Sequence, residues 1–135
     1  MNPHKDQDVL KRKALLFALA PRRGVRLGAW LCVALLAYLS LIPGNLQIRT
    51  GLLSQLEHVV AYLGTAMMLA SGYPRNPRLI MLGLVAYGSL LEILQVLSPG
   101  RAASILDAAA IWSGAILGVV AVALLGQWLT KGSKD

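Results

Sequence analysis

Negative charge is what this chain has least of: six acidic residues in 135, against 13 lysines and arginines. Charge of both signs comes to 14%, where soluble domains carry roughly 25%. There is one cysteine, Cys32, so no intrachain disulfide can form; in its apolar run it is expected to be a small packing residue. The basic residues are not interleaved with aromatics on any one stretch. They sit in the terminal segments and short connections, which argues against nucleic acid as a partner. Metal-ligand spacing is missing too, since one membrane-level histidine, His58, among scattered acids makes a poor site. Neither a metal nor another cofactor is expected.

What the chain has in quantity is apolar sequence, 56% of its residues. A soluble protein of this length could not bury so much apolar surface, whereas a bilayer removes the need. Four apolar segments approach the roughly 20 residues that a helical span requires: 25–42, 56–73, 79–97 and 105–129. The first three end at Pro43-Gly44, Pro74 and Ser98-Pro99-Gly100, the punctuation expected at helix ends. In hydrocarbon the backbone must satisfy its own hydrogen bonds, so runs of this kind are helices, and the alternation of a β-barrel is absent. The expected fold is all-α, an integral membrane four-helix bundle whose short connections make consecutive helices antiparallel.

The flanks give the orientation. Eleven of the 13 basic residues lie in the N-terminal segment, the second-to-third connection and the C-terminal tail; only Arg49 and Arg101 lie in the other two connections. The positive-inside rule then puts both termini in the cytoplasm. Three parts follow: a basic, interfacial segment over 1–24, a transmembrane domain over 25–130 and a cytoplasmic tail over 131–135. Lys11-Arg12-Lys13 before Ala14–Ala20 has some look of a signal peptide. The run is short and Pro21-Arg22-Arg23 follow it, so a partly amphipathic surface segment is the better reading.

Polar chemistry gathers at one depth. Asp6, Asp8 and Asp135 belong to the tails, while Glu57, Glu92 and Asp107 lie in or beside the spans, all toward the outer end. His58, Gln95, Arg101 and Ser104 fall at about the same level, and Tyr62 shares a face with His58 as Gln95 does with Glu92. Ionisable groups at membrane depth are costly and usually face a bundle interior, which makes this set the candidate site. Ser54-Gln55-Leu56-Glu57 and Ser104-Ile105-Leu106-Asp107 also match the capping box, so Glu57 and Asp107 have a structural reading beside the functional one. Glu92, near the close of its helix, has no such role and needs a partner; Arg101 is the nearest in sequence. Gly114 and Gly118 form a small-xxx-small pattern that admits a close helix, either from this chain or from a second copy in a homo-oligomer. Trp30 and Trp128 are placed as interfacial anchors, and Met67-Met68 as packing or lipid-facing filler.

Leu39-Ser40-Leu41-Ile42-Pro43, His58 with Tyr62, Glu92 with Gln95, and Pro99-Gly100-Arg101-Ala102-Ala103-Ser104-Ile105-Leu106-Asp107 together resemble the VanZ-like family of small bacterial membrane proteins. The Glu-x-x-Gln and Arg-x-x-Ser-x-x-Asp blocks carry most of that resemblance. Two positions depart from it: Ser54-Gln55 stand where the family usually has Asp-Lys, and Ile111 where it often has Asn. The resemblance implies a bacterial inner membrane, a cell-envelope role and a link to teicoplanin-type antibiotic resistance. On the residues, the leading expectation is a binding site for a lipid head group or a lipoglycopeptide at the outer leaflet. One alternative is an enzyme acting on a lipid-linked substrate, with His58 as base and Glu92 or Asp107 orienting it. The other is a small proton-coupled transporter using Glu92.

Overall fold

A computed structural model describes residues 3–43, 54–97 and 103–131, with side chains described over 22–43, 54–97 and 103–128. Four α-helices fill it: α1 (Pro3–Leu41), α2 (Ser54–Gly72), α3 (Pro77–Leu94) and α4 (Ile105–Lys131), with a 3-10 turn over Gln95–Leu97 closing α3. No strand occurs among the described residues. Three of the helices are long and apolar enough to cross a membrane, over Arg22–Leu41, Pro77–Leu97 and Ile105–Trp128.

The first helix differs from expectation. Its apolar part begins where the sequence put the span, yet the helix itself runs back to Pro3 without interruption, so residue 24 is no boundary between elements. At 1.5 Å per residue its 39 residues reach about 58 Å, nearly twice a hydrocarbon core of about 30 Å. Pro21 inside it has no N–H to offer the preceding turn, a loss the helix tolerates.

α2 is the helix that falls short of the apolar criterion, and its position explains why. Tyr62, Thr65, Ala66, Leu69 and Ala70 are all buried, because α1, α3 and α4 pack around it. The surrounding helices carry the exposed apolar stripes, such as Leu27, Leu31 and Leu35 on α1 and Leu79, Leu82 and Leu90 on α3. A helix sheltered in this way can keep Gln55, Glu57 and His58 in its first turns.

Contacts fix the directions. Arg26 of α1 reaches the end of α2 through a bond from Nε to the Gly72 carbonyl (2.8 Å), so the two run antiparallel. Trp112 Nε1 of α4 donates to Ser89 Oγ of α3 (2.9 Å), another antiparallel pair. α2 and α4, second neighbours in sequence, therefore lie parallel, and their backbones approach closely. A Cβ placed on Gly114 would stand 2.5 Å from the Val59 carbonyl oxygen, and one on Gly118 would stand 2.5 Å from that of Leu63. The small-residue stripe is thus filled by α2 of the same chain, and a homo-oligomer would have to use another face. Cys32 and Met68 act as packing residues between α1 and α2, with Cys32 Sγ 3.7 Å from Met68 Sδ.

Mid-helix hydroxyls turn back on their own helices. Thr65 donates to the Ala61 carbonyl and Ser89 to that of Val85, each at 2.8 Å. This leaves the bundle interior apolar between its two polar ends.

Candidate functional site

At the end where α1 and α3 close and α2 and α4 open, the helices bring most of the expected polar set together. Glu92, in the last turn of α3, is 4% exposed. Its Oε1 accepts a 2.7 Å hydrogen bond from the backbone N–H of Ser104, the residue before α4. That N–H is one of the unpaired donors at a helix start. In the capping-box reading, Asp107 would reach back to it. Glu92 takes it instead, tying the end of α3 to the beginning of α4.

Asp107 is turned toward α2. Its Oδ1 accepts from Gln55 Nε2 at 2.9 Å and its Oδ2 from Ser54 Oγ at 3.5 Å. Gln55 was not among the candidates: the sequence showed it only as a spacer inside a capping box and as a departure from the family pattern. Its bond to a charged acceptor bridges the seam between α2 and α4. Gln55→Ala is expected to lower thermal stability in detergent by about 1–2 kcal/mol. Gln55→Glu, which sets a second carboxylate against Asp107, should cost more.

His58 lies one turn into α2 and is half-buried. Its Nδ1–H donates to the Ser54 carbonyl at 2.8 Å, so in the neutral ring the lone pair is on Nε2. The group orienting this histidine is a backbone carbonyl, not Glu92 or Asp107. Gln95 is buried at the C-cap of α3, on the same face as Glu92. Glu57 is half-buried in the first turn of α2. Arg101 lies outside the described residues. Among the described residues no three His, Cys, Asp or Glu side chains converge as metal ligands.

Behind this rim sits Tyr62, 1% exposed. Its hydroxyl lies against Gly88, 2.9 Å from where a Cβ would be. Gly88 is one turn before Glu92 on the same face of α3. Tyr62 Oη and Glu92 Oε2 are both buried, and neither has a hydrogen-bond partner among the described residues. Leaving such atoms unsatisfied costs about 1–3 kcal/mol each. The site therefore combines one carboxylate oxygen used in structure, a second that is unused, and an unused phenol beside it.

No family model matches the chain, and no curated protein or solved structure proved similar to it.

Proposed function

We propose that this is a VanZ-like protein of a bacterial inner membrane, crossing it four times with both termini in the cytoplasm. In this reading it binds an amine-bearing lipid head group at the outer end of the bundle. The observation that carries the proposal is the pair of buried, unpartnered oxygens, Glu92 Oε2 and Tyr62 Oη, at the end that also holds Asp107, Glu57 and His58. A primary ammonium has several donors to offer and positive charge to match the carboxylates. A zwitterionic head group would set its amine there and its phosphate on Arg101. A lipoglycopeptide amine such as that of teicoplanin presents the same donor. As for α2, 19 residues at 1.5 Å give about 28 Å, enough to cross when its flanks are covered by other helices.

The test is binding of phosphatidylethanolamine to the full chain in nanodiscs of phosphatidylcholine, with teicoplanin as a second ligand. Tyr62→Phe removes a hydroxyl that has no partner among the described residues, so stability is expected to hold or rise. Binding is expected to fall on the order of tenfold, the size of one lost hydrogen bond to a charged group. Arg101→Ala should weaken the phospholipid to a similar degree. Unchanged affinity for both ligands in both variants defeats the proposal.

A further inference from the structure

At the opposite end of the bundle a groove of about 420 Å³ runs between α1 and α3 over the flank of α2. Trp30 and Val33 form one wall, Leu84 and Tyr87 the other, and Leu69 and Tyr73 the floor. Trp30 and Tyr87 spend their polar atoms within the protein. Trp30 Nε1 donates to Tyr73 Oη at 3.1 Å, and Tyr87 Oη donates to the Val33 carbonyl at 2.8 Å. Away from Asn76 at its end the groove is apolar and suits a hydrocarbon chain. From Asn76 to Tyr87 it follows α3 for about 16 Å at 1.5 Å per residue.

The mouth is basic. Arg26 stacks its guanidinium on the Tyr73 ring, 4.6 Å from the centroid, and Arg75 and Arg78 are exposed on either side of Asn76 at the groove's end. Asn76 makes no side-chain cap, which leaves early N–H groups of α3 directed the same way. Apolar groove and cationic rim together have the layout of one lipid molecule: tail between the helices, negative head at the rim.

We propose that this groove holds a single anionic phospholipid of the leaflet at the basic end. One acyl chain lies between α1 and α3, and the phosphate sits between Arg75 and Arg78. The site is separate from the Glu92 end, recognises the opposite charge, and does not depend on the amine-binding proposal.

Gly83 allows a clean test, since it borders the groove and a Cβ there would meet nothing within 4 Å. The full chain is purified from nanodiscs containing phosphatidylglycerol in an excess of phosphatidylethanolamine, and retained lipid is measured by native mass spectrometry. Wild type is expected to retain phosphatidylglycerol in preference. Gly83→Phe, which fills the groove, should lose the retained phosphatidylglycerol. Arg75→Gln with Arg78→Gln should keep a lipid but lose the preference on the order of tenfold, as two surface charges warrant. Gly83→Leu repeats the filling test if the phenylalanine variant fails to fold. A folded groove-filled variant that retains phosphatidylglycerol like wild type, or a charge variant with its preference intact, overturns the assignment.

Discussion

Gly118→Ala is expected to destabilise the bundle by about 3 kcal/mol, the upper part of the range for overpacking a filled interface. The added methyl would stand 2.5 Å from the Leu63 carbonyl oxygen and 2.7 Å from Ala66 Cβ, both on α2. Neither atom can swing aside, since one is backbone and the other is fixed to it. Relief requires α2 and α4 to separate, and Gly114, one turn earlier and equally close to α2, means that the whole seam opens with it. In lipid no hydrophobic force holds helices together, so close van der Waals contact is most of what the seam supplies. Gly64→Ala is the control, because nothing lies within 4 Å of the added atom. It should be neutral or gain up to about 1 kcal/mol of helix propensity. Melting in detergent followed by far-UV circular dichroism separates the two, and equal melting temperatures would mean that the helices approach less closely than described.

Glu92 should separate fold from binding. Glu92→Ala removes the acceptor for the Ser104 N–H and with it the tie between α3 and α4. The loss is about 2 kcal/mol, the usual worth of a hydrogen bond to a charged group. Glu92→Gln retains a carbonyl oxygen where Oε1 accepts, so most of that stability should survive. It loses the negative charge of Oε2, and amine binding should fall on the order of tenfold or more. If alanine and glutamine melt alike, Oε1 is not a structural acceptor. If glutamine binds phosphatidylethanolamine as well as wild type does, the carboxylate is not the recognition group.

Much of the architecture was legible because hydropathy and chain punctuation act locally. The ends expected at Ile42, Tyr73 and Leu97 fall within a residue or so of where α1, α2 and the turn after α3 stop. The start of α1 was not legible, since hydropathy marks where a helix enters lipid, not where it begins. The glycine stripe on α4 announced a close neighbour but not its identity. The opposing surface on α2 is largely backbone at Val59 and Leu63, and backbone leaves no mark on composition. The same limit applies at the site. That Glu92 and Asp107 stand at the same end of the bundle followed from helix ends expected at one level. That Glu92 would be held by a main-chain N–H, and Asp107 by Gln55, did not, because neither donor is distinguished by its residue type alone.

The parallel seam between α2 and α4 also constrains how the protein is made. During synthesis α2 leaves the ribosome well before α4, yet α2 falls short of the apolarity of the other three helices, and α4 packs closely along it. In the four-crossing reading proposed above, α2 would need shelter from lipid until the last helix arrives. A nascent chain cut short before Ile105 would present an unfinished surface to membrane quality control. In that reading, release of the final helix would be the step that completes the bundle in its bilayer.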